Sequence, residues 1–221
     1  MYEVSSLATV FVILMHMKQY AFLALHEFEV LKTLNDPRSI QTFLDSLSMN
    51  HEKEGETCMS PLRVLQTRKA HCIEGALLAA VCLMIHAQKP LILNLKVHTD
   101  DVDHIVTLFK RNGYYGAISK TNHGVLRYRD PVYKSVRELV MSYFHEYFLS
   151  SNGKKTLLGY TRPTNVRTYG LGWITREDDL WDIAEAIYDM PIIDVVPHKN
   201  KKYIREATAF ERQVASIPEW V

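Results

Sequence analysis

Three cysteines and ten histidines are the side chains of this 221-residue chain best suited to nucleophilic or acid–base chemistry. Cys72 stands out by its place. His71 precedes it, Ile73-Glu74-Gly75 follows, and then ALLAAVCLMIHAQ runs on as an apolar stretch that reads as a helix buried on most sides. A thiol at a helix N-terminus meets partial positive charge and unpaired N–H groups, which favour thiolate over thiol and can also hold an oxyanion. Cys82, mid-helix between Val81 and Leu83, lacks that field and reads as an inert core residue. Cys58 falls in a polar stretch and is expected to be open to reagents without having a function. A thiolate nucleophile needs a base, and the base needs an orienting partner. His104 follows Asp100, Asp101 and Asp103 and opens the run HIVTLFK, so it should stand at the mouth of a sheet. His71, His98 and His123 compete for the base role on composition alone.

The elements that must position these groups are marked by clear punctuation. Asp36-Pro37 and Ser60-Pro61 each put a capping side chain before a proline at the first helical position, so helices should start there. The first carries Ile40, Phe43, Leu44 and Leu47 at helical spacing; the second is short, about 61–68. After Lys89-Pro90 the period changes to two, and Leu91, Leu93, Leu95 and Val97 alternate with Ile92, Asn94 and Lys96 as in a strand. HIVTLFK and YYGAISKT then flank Arg111-Asn112-Gly113, a strong hairpin signal. RYRDPVY (127–133) reads as a turn-containing connection. Ser135 and Glu138 form a capping box, opening a helix with Val136, Leu139, Val140, Tyr143, Phe144, Tyr147 and Phe148 along one core-facing stripe. A further helix is expected near 177–190, carrying Leu180, Trp181, Ile183, Ala184 and Ile187. Helices, then three strands in succession, then helices predict an α+β fold with an antiparallel sheet.

If Asn112-Gly113 are the central residues of a tight turn, Arg111 pairs with Tyr114 and paired residue numbers sum to 225. His104 then lies opposite Thr121 and Val106 opposite Ser119. Side chains alternate faces along a strand, so Ser119 and Thr121 share the face of His104 while Lys120 and Asn122 point away. A bulge or a longer turn would slip the register and bring Asn122 round instead.

Composition sets the outer bounds. Lys plus Arg is 26 against 25 for Asp plus Glu, a formal charge of +1, which gives no global attraction to nucleic acid. Lys199, Lys201, Lys202 and Arg205 read as a solvated surface segment rather than a basic binding patch. Hydrophobic residues at 47% and charged residues at 23% fit one globular domain rather than a disordered chain. Three cysteines without a CxxC pair argue for a reducing, cytoplasmic setting and against a disulfide framework or a cysteine-bound metal. No P-loop or dinucleotide motif occurs, and no cofactor is expected. His145-Glu146 begins like a zinc-protease helix, but Leu149 stands where the second histidine is needed. The Asp100, Asp101, Asp103 cluster reads as a solvated acidic turn rather than a cation site, and Arg127, Arg129 and Asp130 as a brace rather than a carboxylate receptor. Leu7 to Met15 is an apolar run of nine, short of the roughly 20 residues a bilayer span needs, so no stable membrane insertion is expected. It reads as the apolar face of an N-terminal helix, with a membrane-associated or partner-binding helix as the alternative.

The segments AHCIEGALLAA, DDVDHIVTLF, YYGAISKTNH and LRYRDPVY together resemble bacterial transglutaminase-like proteins of unassigned function, a branch of the papain-like cysteine enzymes. The match covers about 36–148 well and the C-terminal third loosely; residues 1–25 look like an apolar helical extension to a single domain over 26–221. The resemblance implies a cysteine-bearing helix packed on a small antiparallel sheet, with additional N- and C-terminal helices. By position it makes Cys72 the acyl-accepting nucleophile and His104 the base. Where the family pattern has an aromatic, three residues and then Asp, this chain reads Tyr115-Gly-Ala-Ile-Ser119. That position and the same-face rule both select Ser119 as the residue that orients His104. The activity implied is cysteine-dependent acyl transfer on an amide of a peptide or protein, with water or an amine as acceptor. The alternative is a catalytically silent peptide-binding or scaffolding domain using the same cleft.

Overall fold

A computed structural model describes residues 20–53 and 55–216. The expected helix over Leu7 to Met15 lies outside the described residues. The Tyr20 ring packs on Phe22, which in turn packs on Phe28, and the Tyr20 hydroxyl donates to the Met84 carbonyl at 3.3 Å. Tyr20 and Phe22 thus belong to the core even though they precede residue 26.

The N-terminal helices are α1 (Glu29–Thr33), α2 (Pro37–Asp45), α3 (Pro61–Thr67) and α4 (Cys72–Ile85). Asp36 accepts from Arg38 N–H and Ser60 from Arg63 N–H, so both proline-led helices start where their capping residues place them. Two short strands, β1 (Ser48–Met49) and β2 (Lys69–Ala70), pair in parallel just before α4 and fix how the chain enters it.

The main sheet contains β3 (Leu91–Val97), β4 (His104–Arg111), β5 (Tyr114–Ile118), β6 (Arg129–Tyr133), β7 (Leu157–Thr161), β8 (Thr164–Asn165) and β9 (Ile192–Asp194). Its order is β6-β5-β4-β3-β7-β9, with β8 also on β3, and every pairing is antiparallel. The fold is therefore α+β with an antiparallel sheet. Alternation sends Ile92, Ile105, Thr107, Phe109 and Ile118 toward α4 and the N-terminal helices, while Leu93, Leu95, Val106, Leu108 and Ala117 face α5 (Val136–Phe144). Both faces are covered, which is why β4 is buried from His104 through Phe109. The aromatic stripe of α5 fills the second face, with Leu139, Val140, Tyr143, Phe144 and Tyr147 buried. The C-terminal helices are α6 (Trp181–Tyr188) and α7 (Ala209–Ala215).

Two expectations are corrected. Residues 129–133 are not a turn but the edge strand β6; Pro131, which lacks an N–H, is tolerated there because an edge strand can turn one side to solvent. The sheet is also not confined to three successive strands, since β7 pairs directly with β3. Its sequence, Leu-Leu-Gly-Tyr-Thr, breaks period two, and Gly159 is required by crowding: a Cβ would meet the Ile193 carbonyl oxygen at 2.6 Å.

Arg129 acts as a brace. Its guanidinium lies 4.0 Å from the Tyr143 ring centroid, donates to Ser142 Oγ and the Val125 carbonyl, and pairs with Glu146. The acidic turn is partly structural too. Asp103 accepts from Asn94 Nδ2, Lys96 Nζ and Val97 N–H at 3.0, 2.8 and 3.0 Å, closing the loop between β3 and β4. Among the described residues no cluster of metal-ligating side chains forms, and no helix is long and apolar enough to cross a membrane.

Candidate active site

Cys72 is the first residue of α4, with His71 at the N-cap. Glu74, one turn in, is fully buried, and its carboxylate is saturated by donors. It accepts from His71 N–H at 2.9 Å, Met59 N–H at 2.9 Å, Thr57 Oγ1 at 2.9 Å and Asn50 Nδ2 at 3.2 Å. A buried carboxylate without such partners would be costly, so these bonds tie the preceding loop to the first turn of the helix.

The second half of the site comes from the β4–β5 hairpin. Asn112 and Gly113 have φ of 51° and 87°, the left-handed conformations that a tight hairpin turn requires. Pairs run from Arg111↔Tyr114 to Thr107↔Ile118, so residue numbers sum to 225 without a slip. That register carries Ser119 to His104: Nε2 and Oγ lie 2.7 Å apart. Ser119 Oγ has a single proton, and it also lies 2.8 Å from the Leu126 carbonyl, which can only accept. Ser119 must therefore accept from His104 Nε2–H, which leaves Nδ1 as the nitrogen for Cys72. Gln41 on α2 clamps the same serine, giving Nε2–H to the Ser119 carbonyl at 2.8 Å and taking the Ser119 N–H at 2.9 Å. Thr121 accepts from His123 N–H at 3.0 Å. The alternative that needs a slipped register to bring Asn122 to the ring does not arise.

Two contacts align the halves. Thr107 Oγ1 donates to the Ala76 carbonyl at 2.6 Å, setting the start of α4 over the start of β4. Gly75 leaves room for the chain beyond β5, since a Cβ there would meet Lys120 Cβ at 2.4 Å. The structure thus brings together Cys72, His104 and Ser119.

The electrostatics of the thiol follow. Burial opposes ionisation of Cys72, but hydrogen bonds and charge from His104 and then His71 outweigh it and bring the thiol down to about 5. Burial alone would keep the His71 ring neutral; the Cys72 sulfur, the Glu74 carboxylate and the Thr57 carbonyl together lift it to about 9. The other cysteines behave oppositely. Cys58 is not open to reagents: it is fully buried, and burial together with Glu74 and Asp179 pushes its thiol up to about 12. The sequence is polar around it, but the segment leading into α6 is bonded to it, Cys58 N–H donating to Asp179 at 3.0 Å and Leu180 N–H to the Cys58 carbonyl at 2.8 Å. Burial also raises Cys82.

Of the competing histidines, His98 is engaged by Asp100 at 3.1 Å, and His123 is held low by burial and by the charge of His104. His71 does reach the thiol, a contact its adjacency in sequence leaves undecided because neighbouring side chains need not converge. Burial raises the hydroxyls of Tyr147 and Tyr188, and the Cys72 charge adds to it, so both stay protonated. A cavity of about 290 Å³ lined by His123, Leu126 and Tyr147 adjoins this corner. Gln41 and Glu74 were not singled out from sequence. The available signal for each was a polar residue on a stripe otherwise apolar.

No family model matches this chain, and no curated protein matches it.

Proposed function

We propose that this chain is a cysteine-dependent acyl-transfer enzyme acting on a peptide or protein amide, built on a transglutaminase-like core. The observation that carries the reading is Cys72 at the start of α4 beside His104, whose Nε2 is fixed by Ser119 at 2.7 Å. The order of helix-opening cysteine, strand-opening histidine and hairpin partner supports the assignment of the core.

In the proposed reaction, the Cys72 thiolate attacks the amide carbonyl carbon, forming a C–S bond as the carbonyl π electrons move to oxygen. The first-turn N–H groups of α4, which have no carbonyl one turn before them, stabilise that oxyanion. Collapse expels the amine, which takes a proton from His104 Nδ1, and leaves a thioacyl enzyme. Water or an acceptor amine then attacks the thioester, His104 takes its proton, and the C–S bond breaks to return the thiolate. The fixed Nε2–H tautomer leaves Nδ1 able to accept and return that proton.

The test uses p-nitrophenyl acetate as an acyl donor that needs no knowledge of the substrate. A burst of p-nitrophenol with an acetyl adduct on Cys72, absent in Cys72→Ala, is the expected result. A folded chain whose Cys72 reacts with iodoacetamide but never accepts acetyl would overturn the enzyme reading in favour of a peptide-binding scaffold.

A further inference from the structure

We propose that the cavity beside His104 is the subsite for the amine side of the scissile amide, and that it selects an α-amine carrying a large aliphatic or aromatic side chain. This deepens the acyl-transfer reading by naming the substrate class, a peptide bond on the N-terminal side of an apolar residue, and it rests on that reading.

The path of the proton fixes the side on which the amine lies. The expelled amine takes its proton from His104 Nδ1, and an acceptor amine gives one back to the same atom, so both nitrogens come within hydrogen-bond reach of it, about 2.6–3.2 Å. The acyl group is held on the Cys72 sulfur, so whatever the nitrogen carries extends past His104. The cavity of about 290 Å³ lies on that side. Leu126, in its wall, offers its carbonyl to Ser119 Oγ at 2.8 Å, and Ser119 holds the His104 ring. Tyr147, in the same wall, donates its hydroxyl to the Val102 carbonyl at 2.8 Å, two residues before His104. Asp101 stands one residue earlier still, and His123 donates its N–H to Thr121 Oγ1 on the chain that leaves β5. The electrostatics agree, since the Cys72 charge acts on Tyr147 and the His104 charge on His123.

The lining decides what fits. Val125, Leu126, Tyr147, Phe148 and Leu149 supply an apolar surface, and Ala215 closes it from the last turn of α7. That wall is held at its root, where buried Ala207 donates its N–H to the Gly153 carbonyl at 2.8 Å. The charged groups facing the cavity are already engaged. Asp101 accepts from Val102 N–H at 2.8 Å and Thr156 Oγ1 at 2.5 Å, Glu146 pairs with Arg129, and Arg212 donates to the Ala207 carbonyl at 3.0 Å. Burial holds the His123 ring toward its neutral form. A charged side chain entering here would lose its hydration and find these groups committed to other partners. An aliphatic or aromatic one loses nothing polar and removes apolar surface from water.

The test offers the acetyl enzyme made from p-nitrophenyl acetate equal concentrations of L-leucinamide, glycinamide and L-lysinamide, and counts the N-acetyl products by mass spectrometry. The α-amines of leucinamide and glycinamide titrate together, near 7.7–8.0, so intrinsic reactivity does not rank them. N-acetyl-leucinamide should exceed N-acetylglycinamide by about tenfold or more, the discrimination an apolar pocket gives a side chain, and lysinamide should do no better than glycinamide. Ala215→Trp fills the cavity from its outer wall and should bring the leucinamide-to-glycinamide ratio toward one. The ratio is internal to each sample, so it does not depend on how much of the variant is active. A ratio near one in the unmodified chain, a preference for lysinamide, or an unchanged ratio in Ala215→Trp overturns the subsite. A second readout needs no acyl transfer: in Cys72→Ala, leucinamide should shift the His123 ring resonances saturably and glycinamide should not, and equal behaviour of the two also refutes it. Acetylation of Cys72 without discrimination among acceptors sinks the subsite alone, whereas failure of acetylation sinks the acyl-transfer reading beneath it as well.

Discussion

At the scale of single residues, the thiol is separable from the fold. Cys72 is small and opens a helix whose stability comes from the apolar residues behind it, so Cys72→Ala should keep the native far-UV circular dichroism while abolishing acyl-adduct formation. Ser119→Ala tests a different link. The substitution leaves His104 Nε2–H and the Leu126 carbonyl each short of a partner, and a net hydrogen bond of about 1–1.5 kcal/mol corresponds to roughly a tenfold rate effect. We expect kcat for acyl transfer to fall by about that factor or more. The Cys72 labelling midpoint should not move, because the partners of Ser119 are His104, Leu126 and Gln41. A midpoint shift to the ordinary thiol range in Ser119→Ala would show instead that the serine governs the nucleophile.

At the scale of elements, the site depends on how closely two backbones pass. Gly75 in the first turn of α4 lies where a Cβ would meet Lys120 Cβ at 2.4 Å and Cγ at 3.1 Å. Alanine is the better helix former by about 1 kcal/mol, but overpacking typically costs about 1–3 kcal/mol and this contact is at the stem of the lysine rather than its flexible end. The clash should win. Gly75→Ala is expected to lower the urea midpoint and to separate Cys72 from Ser119, reducing acyl transfer beyond what the stability loss explains; unchanged stability and activity would contradict the close approach. Elements with local chemistry were legible in sequence: Asp36-Pro37, Ser60-Pro61, the alternation of Leu91 to Val97, and the Asn112-Gly113 turn that fixed the register to Ser119. What escaped was set at long range. The strand character of 129–133 arises from pairing with β5 despite Pro131, and that of 157–161 from pairing with β3 despite Gly159. Gln41 meets Ser119 across 78 positions, and no spacing rule reaches that far.

For the whole molecule, the Cys72–His71 pair predicts a specific pH dependence of stability. His71 rises from 6.5 to about 9 on folding, so its contribution is full below 6.5 and is lost as pH rises through about 9. Cys72 falls from 9.0 to about 5, so its contribution is present above 9.0 and is lost as pH falls through about 5. Between 6.5 and 9 the unfolded chain holds on sulfur the proton that the folded chain holds on imidazole, and the two slopes cancel. Below 6.5 the unfolded chain binds one proton more, and stability from this pair should fall by up to about 1.4 kcal/mol per pH unit toward pH 5. Comparing Tm against pH for the native chain and Cys72→Ala isolates this slope: the native chain should lose its advantage between pH 6.5 and 5 and hold it level up to 9. A difference that instead grows with acidity would exclude the charged pair.

The pairing of β3 carries a further consequence, for how the chain leaves the ribosome. β3 receives β4 on one edge from the residues made directly after it, but its other edge waits for β7 and β8, at least 60 positions later by sequence number. Until Leu157 to Asn165 have emerged, the Cys72 helix and the β4–β5 hairpin can assemble beside an apolar strand whose second edge is unpaired, a template for association between nascent chains. A chain terminated before Leu157 should therefore aggregate even though it contains Cys72, His104 and Ser119, and a synthetic peptide spanning 157–165 should suppress that aggregation if the exposed edge is its cause.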